Sequence, residues 1–196
     1  YEADMAEGLW QHQRNPRRID YPVGVMGLGK MGERVARALT VFDFKVNGWS
    51  RSPRELQGVE CFSGMDSLDR FLSETRILVN LLPLHDETRD IINARTLALL
   101  QPGAYVINVG RGGHVVDADL IAQIESGHVS GAMLDVFREE PLPDNHPFWK
   151  HPKIILTPHT SARTLAADSI AQIVGKVAAM SRGEPVTGRV DLSKGY

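Results

Sequence analysis

The chain has 196 residues and a formal net charge of −2, from 22 lysines and arginines against 24 aspartates and glutamates. Without a basic block this charge argues against a nucleic-acid partner, and no apolar run approaches the roughly 20 residues that cross a membrane. A content of 42% apolar residues with a single cysteine, Cys61, predicts a folded, soluble, cytoplasmic protein without disulfides or a metal site.

The first 20 residues predict a short helix over residues 1–10 and then a polar connector over residues 11–18, where Asn15, Pro16 and three arginines are found. We place a domain boundary at this connector. Because the chain opens at Tyr1 without a methionine, we expect it to be part of a longer protein.

From Pro22 onward, short apolar runs alternate with amphipathic segments, as in β–α units packed around a parallel sheet. Strands are predicted at Pro22–Met26, Lys45–Trp49, Ile77–Asn80, Ala104–Asn108, Gly131–Asp135 and Lys153–Thr157. Helices are predicted at Met31–Val41, Met65–Glu74, Ala94–Leu100 and Asp117–Ser126. Because almost every strand is followed by a crossover, the pattern favours an α/β fold with a doubly wound parallel sheet.

A final helix is predicted at residues 165–181, with an apolar stripe that we expect to pack in the core. The stripe is formed by Ile170, Ile173, Val174 and Val177. Cys61 is predicted to be a buried strand residue.

The first strand runs into a G-x-G-x-x-G turn that opens a helix. In such a turn Gly27 permits the tight bend, Gly29 lets a pyrophosphate approach the backbone, and Gly32 lets helix and strand close up. The helix N-terminus offers free N–H groups to the phosphates. The alternative is a tight turn without a ligand. The predicted cofactor-binding residues are Gly27, Leu28, Gly29, Lys30, Met31 and Gly32.

The second strand ends in Ser50 and Arg51, where a site for NAD usually has an acidic residue that binds the ribose 2′-OH. A carboxylate would repel the 2′-phosphate of NADP, whereas a hydroxyl and a guanidinium can bind it. We therefore predict NADP as the cofactor, with NADPH preferred over NADH. Arg51 could instead be an exposed loop charge, and Arg54 is a second candidate.

Three residues that suit acid–base and carboxylate chemistry follow three successive predicted strands. Arg111 lies between glycines, Glu140 precedes a proline, and His159 follows Pro158. The carboxyl ends of strands are where open α/β sheets bind ligands. Taken singly, Arg111 could cap a helix, Glu140 could be a solvated acid, and His159 could bond within a turn.

Together these elements resemble the D-isomer-specific 2-hydroxyacid dehydrogenase family, from about Val23 to the C-terminus. The resemblance rests on the glycine turn, the Asn-x-x-Arg-Gly run at Asn108, the Asp-Val-Phe-x-x-Glu-Pro run at Asp135, and the Pro-His pair. Three further runs resemble its NADPH-dependent glyoxylate/hydroxypyruvate reductase A branch: Trp49-Ser50-Arg51, Leu81-Leu82-Pro83 and Lys194-Gly195-Tyr196.

The resemblance implies reduction of a short 2-keto acid, glyoxylate or hydroxypyruvate, by hydride transfer from NADPH. His159 would donate the proton, Glu140 would orient and charge the imidazole, and Arg111 would bind the substrate carboxylate, roles that these side chains suit chemically. The resemblance also implies a homodimer through the dinucleotide lobe, with Gly112 to Ser126 as the interface.

Further residues are expected to touch the cofactor. Asp135 matches the family position that binds the carboxamide, with a structural turn cap as the alternative. The other expected contacts are Leu82, Pro83, Val109, Gly110, Arg111, His159 and Ser161, of which Leu82 and Pro83 could instead pack within their loop. Five histidines without a motif are expected to be structural or exposed: His85, His114, His128, His146 and His151.

The family has two lobes, and this sequence predicts only the dinucleotide lobe, at residues 21–163. Residues 1–20 and 164–196 would belong to, or return toward, a substrate lobe, so we expect the chain alone to lack full activity. One alternative is the 3-hydroxyisobutyrate dehydrogenase group, which needs a lysine base, and Lys176 is the lysine of the final helix. Another is a non-catalytic NADP-binding module.

Overall fold

A seven-stranded parallel sheet forms the centre of the computed structural model, which describes residues 2–10, 17–162 and 164–188. The strands are β1 Val23–Met26, β2 Val46–Ser50, β3 Val59–Ser63, β4 Ile77–Asn80, β5 Ala104–Asn108, β6 Val129–Leu134 and β7 Ile154–Leu156. The helices are α1 Glu2–Ala6, α2 Lys30–Val41, α3 Leu68–Ser73, α4 Ala94–Ala98, α5 Asp117–Glu125 and α6 Ala166–Ser181. Most of the predicted connector and the closing Lys194–Tyr196 run lie outside the described residues.

The strand order is β3-β2-β1-β4-β5-β6-β7, and every neighbouring pair is parallel. The predicted doubly wound α/β fold is therefore confirmed. The six predicted strands form, but β3 was missed because it is an edge strand with only Phe62 fully buried, so it lacks a continuous apolar run. Cys61 lies on this strand and is half-buried, which corrects the expectation of a buried residue.

Two buried apolar clusters hold the sheet and its helices together. Met26 and Leu78 belong to the cluster that contains residues of α3, α4 and α5, whereas Val25 and Val79 belong to the cluster that contains Ala36 of α2. The division follows from the strand geometry, because successive side chains point to opposite faces of the sheet. Each large apolar side chain buried in this way contributes about 1.5–3 kcal/mol.

The carboxyl ends of the strands lie side by side at one edge of the sheet. Met26 of β1 is paired with Trp49 of β2 and with Asn80 of β4, and Asn80 is paired with Asn108 of β5. Because β1 lies between β2 and β4, the chain winds in opposite directions on its two sides. The loops that leave this edge therefore diverge, which opens a crevice at the end of β1.

Helix α6 does not bury its apolar stripe. Ile170, Ile173, Val174 and Val177 are between 57% and 62% exposed. The prediction that this stripe packs in the core is therefore wrong, since nothing in the described chain covers it. Among the described residues, no helix is long and apolar enough to cross a membrane.

Candidate active site

A cleft of about 680 Å³ opens at the carboxyl ends of the strands, between the loops that follow β1, β2, β4 and β5. The predicted cofactor residues that line it are Gly27, Leu28, Gly29, Lys30, Met31, Gly32, Ser50, Arg51, Leu82, Pro83, Val109, Gly110 and Arg111. Gly64 and Met65, after the unpredicted strand β3, also line it. Sequence reasoning missed both, since neither belongs to a motif.

The glycine turn is tight on its helix side and open at the start of the helix. Gly27 has a φ of +98°, and a Cβ on Gly32 would lie 1.8 Å from the Gly27 carbonyl oxygen, so helix α2 packs directly on the turn. In contrast, a Cβ on Gly29 would meet no atom within 4 Å. Gly29 caps α2 without a side-chain hydrogen bond to the first N–H groups, and the first residues of the helix line the cleft. Such a helix start can receive an anion.

The end of β2 presents hydroxyl and guanidinium groups to the cleft. Ser50 is largely buried and donates its hydroxyl hydrogen to the carbonyl oxygen of Ser52, 2.7 Å away. Arg51 and Arg54 both line the cleft. Trp49, also a lining residue, is 3% exposed and donates its indole N–H to the Gly64 carbonyl at 2.9 Å. This bond ties the loop after β3 to the end of β2.

Arg111 lies on the loop after β5 and lines the cleft. Its guanidinium donates to the carbonyl oxygen of the preceding residue, Gly110, at 2.7 Å. The next residue, Gly112, packs so closely on the loop after β6 that a Cβ would lie 1.8 Å from the carbonyl carbon of Phe137. The loop that carries Arg111 therefore touches the loop that carries Glu140.

Glu140 and His159 form a direct pair. Nδ1 of His159 lies 2.7 Å from Oε2 of Glu140, and Oε1 of Glu140 accepts the backbone N–H of Phe137 at 2.9 Å. Partial burial raises the pKa of Glu140, but the bonds from His159 and Phe137 and the positive charge of Arg111 outweigh it, so the pKa is held below its usual value. The three predicted catalytic residues therefore interact: His159 contacts Glu140, and the charge of Arg111 acts on the Glu140 carboxylate.

Asp135 anchors the loop that carries His159. It is 1% exposed, and its carboxylate accepts the backbone N–H groups of Thr160 and Ser161 at 2.9 and 3.0 Å and the hydroxyl of Thr157. Burial raises the pKa of Asp135, but these three donors outweigh it, so the pKa is lowered. His159, at the centre of the loop, has a φ of +53° and donates its N–H to the Asp135 carbonyl at 2.9 Å. These bonds favour the turn-cap alternative for Asp135.

Four predicted residues lie beside the cleft rather than in its described lining: Asp135, Glu140, His159 and Ser161. Two polar residues that sequence reasoning did not place in the site are buried next to the lining. Asn80 ends β4, and His114, expected to be structural or exposed, is fully buried. The only sequence signal for Asn80 is that it ends its strand as Asn108 ends the next.

A family model described as the NAD-binding domain of D-isomer specific 2-hydroxyacid dehydrogenases matches residues 1–161. A curated protein from Escherichia fergusonii, named glyoxylate/hydroxypyruvate reductase A, is 45% identical over 196 residues. A protein of the same name from Salmonella newport is 44% identical over the same length. The alignments cover 100% of this chain but 63% of each relative, so the chain spans less than two thirds of their length.

Solved structures of 2-hydroxyacid dehydrogenases are also similar to this chain in fold and in sequence. A D-isomer specific 2-hydroxyacid dehydrogenase from Xanthobacter autotrophicus, in complex with NADPH and MES, has a TM-score of 0.93 at 43% identity, covering 100% of this chain and 81% of that one. An NADPH-dependent glyoxylate/hydroxypyruvate reductase from Sinorhizobium meliloti, in complex with NADP and sulfate, has a TM-score of 0.95 at 39% identity. That alignment covers 100% of this chain and 63% of the other.

Proposed function

This chain belongs to the D-isomer-specific 2-hydroxyacid dehydrogenase family, as its motifs predict, and we propose that it reduces a short 2-keto acid with NADPH. The substrate would be glyoxylate or hydroxypyruvate and the product the corresponding 2-hydroxy acid. The observation that carries the proposal is the contact between His159 and Glu140 at 2.7 Å, next to a cleft that is lined by the glycine turn and by Arg111.

The cleft suits NADP in several respects. The open space at Gly29 and the N-terminus of α2 would take the pyrophosphate, and Ser50 and Arg51 would take the 2′-phosphate. Leu82 and Gly110 also line the cleft, and the nicotinamide would lie against them. Relatives solved with NADP or NADPH support this choice of cofactor. When bound, the nicotinamide supplies a hydride to C2 of the keto acid.

The chain's own residues would supply the rest of the chemistry. Arg111 would release the Gly110 carbonyl and bind the substrate carboxylate, which orients C2 in the cleft. His159 would donate the proton of its Nε2 to the carbonyl oxygen. Glu140 would hold Nδ1 of the ring and so fix its orientation. Asp135 would act indirectly, by fixing the backbone on either side of His159.

The two alternatives find less support. Lys176 lies on α6 beside a separate pocket of about 400 Å³, which it shares with Lys30, and is not in the described lining of the cleft. A lysine base of the 3-hydroxyisobutyrate dehydrogenase type is therefore disfavoured. A module that only binds NADP would not need the pairing of Glu140 with His159.

We propose the domain division that the sequence predicts: residues 21–163 form the cofactor-binding domain, and residues 1–20 and 164–196 belong to, or return toward, a substrate lobe. That all seven strands fall between Val23 and Leu156 supports this division. A homodimer through Gly112 to Ser126 is also proposed, on the family resemblance alone. Light scattering of the purified chain would test the dimer.

The first test is a pair of titrations, one with NADPH and one with NADH, in which calorimetry measures binding to the chain. We expect NADPH to bind at least tenfold more tightly, a difference of about 1.4 kcal/mol. Arg51→Gln should weaken NADPH binding about tenfold and leave NADH binding unchanged, since the guanidinium would bind the 2′-phosphate. Arg37→Gln is the control, because it removes the same charge from an exposed position on α2 that pairs with Glu33. Tighter binding of NADH would refute the cofactor assignment.

A further inference from the structure

Three buried polar side chains next to the cleft have no role in the chemistry described so far. Asn80, Asn108 and His114 are each at most 1% exposed. Burial of an amide or an imidazole is costly unless its polar atoms have hydrogen-bond partners. The partners of these three residues are one another and backbone groups of the loops after β4 and β5.

The two asparagines connect the ends of neighbouring strands. Nδ2 of Asn80 donates to Oδ1 of Asn108 at 2.9 Å. Each side chain also fixes its own loop: Oδ1 of Asn80 accepts the N–H of Leu82, and Oδ1 of Asn108 accepts the N–H of Gly110, both at 3.2 Å. Leu82 and Gly110 line the cleft, so the pair sets the start of both loops.

His114 connects the same two loops one step further along. Its Nδ1 lies 2.9 Å from Nδ2 of Asn80 and 3.1 Å from the backbone nitrogen of Arg111. Both neighbours are donors, so Nδ1 must be the acceptor and the ring proton must lie on Nε2. Nε2 is 3.3 Å from the carbonyl oxygen of Pro83, to which it donates.

The environment of the ring favours this neutral form. Burial lowers the pKa of His114, and the positive charge of Arg111 lowers it further, whereas the hydrogen bonds to the backbone at Pro83 and Arg111 oppose the change. A protonated Nδ1 would present a hydrogen to the N–H of Arg111 and break that bond.

The backbone at Arg111 is held on both sides. Its N–H donates to His114, and its carbonyl oxygen accepts Nδ2 of Asn108 at 3.1 Å. The preceding glycine has no room for a side chain, because a Cβ on Gly110 would lie 2.9 Å from Nδ2 of Asn80 and 3.2 Å from Nδ1 of His114. The direction in which the Arg111 side chain leaves the backbone is therefore fixed by this cluster.

We propose that His114 is a positioning residue for the cleft: its Nδ1 joins the end of β4 to the loop after β5 and sets the backbone of Arg111 for ligand binding, whereas its Nε2 adds a bond to Pro83 that contributes to stability. This proposal rests on the proposed function, in which the cleft takes NADPH and Arg111 faces the substrate. It adds a residue that acts through the backbone and touches neither ligand.

Two substitutions of His114 test the roles of its two ring nitrogens one at a time. His114→Asn places an amide oxygen near the position of Nδ1 and keeps an acceptor for Arg111. His114→Gln places an amide nitrogen near the position of Nε2, which keeps the donor to Pro83 and loses that acceptor. His151→Gln is the control, since His151 lies in the loop before β7, outside the cleft lining. Thermal unfolding is recorded for each variant, so that binding is compared only where the chain is folded.

The readouts are the exchange rate of the Arg111 amide hydrogen, by NMR, and the Kd for NADPH. We expect His114→Gln to speed the exchange at least tenfold and to raise the Kd at least tenfold. His114→Asn and the control should stay within about threefold of the wild type in both, even where His114→Asn lowers the melting temperature as much as His114→Gln. A purely structural role would instead lower the affinity in proportion to the loss of stability.

The proposal is overturned if the Arg111 amide exchanges at the wild-type rate in His114→Gln, or if faster exchange leaves the Kd unchanged. A wild-type chain that binds no NADPH refutes the proposed function instead. The exchange comparison then still decides whether His114 holds the backbone of Arg111.

Discussion

Each oxygen of the Glu140 carboxylate has a different partner, His159 on Oε2 and the backbone of Phe137 on Oε1. The bond to Phe137 fixes the carboxylate against its own loop, so the imidazole is oriented by a group that cannot rotate away freely. In the proposed reaction this carboxylate holds the ring at Nδ1 and leaves Nε2 to donate the proton.

Replacing Glu140 by Gln should lower the rate of 2-keto acid reduction, because the imidazole of His159 loses the carboxylate that holds its Nδ1 and fixes the ring. We expect a fall in kcat of about tenfold or more at pH 7.5, within the range that general acid catalysis contributes. Glu139→Gln, one residue earlier and exposed, is the matched control. An unchanged kcat in Glu140→Gln would contradict the pairing.

The same carboxylate predicts a pH-dependent stability. A group whose pKa is lower in the folded chain stabilises the fold above its unfolded value, here about 4.5, and this contribution disappears as the pH falls through the lower folded value. The difference in free energy of unfolding between wild type and Glu140→Gln should be constant near neutral pH and shrink below about pH 4.5. Urea unfolding at several pH values measures it. A difference that grows in acid would reverse the sign of the pKa shift.

At the scale of residues, the sequence predicted what motifs encode. Arg111, Glu140 and His159 could be predicted as site residues because each has a recognisable neighbourhood of glycine or proline after a strand, and their roles stay predictions. Asn80 and His114 could not be predicted, since they bond to each other and His114 bonds to backbone groups of two loops, and no spacing along the chain reports such contacts. Asp135 could also be predicted as a site residue, but its hydrogen bonds to the His159 loop appear only in three dimensions.

At the scale of elements, two glycines of the β1–α2 unit have opposite surroundings. Gly32 lies in α2 against the Gly27 carbonyl, whereas Gly29 faces open space at the start of the helix. Substitutions at these two positions therefore test two properties independently: Gly32 tests the packing of α2, and Gly29 tests access to the proposed phosphate site.

Gly32→Ala should destabilise the chain, because its Cβ would overlap the Gly27 carbonyl and push α2 from the sheet. Overpacking of this kind costs about 1–3 kcal/mol or more. Gly29→Ala should leave the free energy of unfolding within about 0.5 kcal/mol of wild type, as expected for a surface change, but weaken NADPH binding at least tenfold because a methyl group then occupies the phosphate approach. Chemical unfolding and NADPH titration of both variants check this. Equal stability of the two would contradict the packing described here.

Prediction of the elements succeeded for β1, where every residue is buried and the strand is apolar. It also succeeded for β2, which is buried throughout although it contains the polar residues Asn47 and Ser50. It failed for β3, which lies at the sheet edge with Glu60 exposed. For α6 the periodicity gave the helix correctly, but periodicity cannot tell what covers an apolar stripe, and Ile173 and Val177 are largely exposed.

For the whole molecule, the cofactor should act as a structural ligand as well as a reactant. NADPH would bridge the loops on both sides of β1, and a ligand that binds only the folded chain stabilises it by about 2.7 kcal/mol at 100 times its Kd. For a chain of this size that corresponds to a rise in Tm of about 5–10 °C. Differential scanning fluorimetry with equal concentrations of NADPH and NADH measures it. Equal shifts for the two cofactors would contradict the preference for NADPH.

The strand order divides the chain in a way that has a practical consequence. Every cleft residue contributed by the glycine turn and the ends of β2 and β3 comes from the continuous segment 27–65, whereas the residues proposed to do the chemistry, from Leu82 to His159, all come later in the chain. The residues proposed to bind the phosphates of the cofactor therefore lie in one continuous stretch of sequence, and those proposed to act on the keto acid lie in a later one. Replacing the first stretch should change the dinucleotide that the protein accepts and leave Arg111, Glu140 and His159 in place.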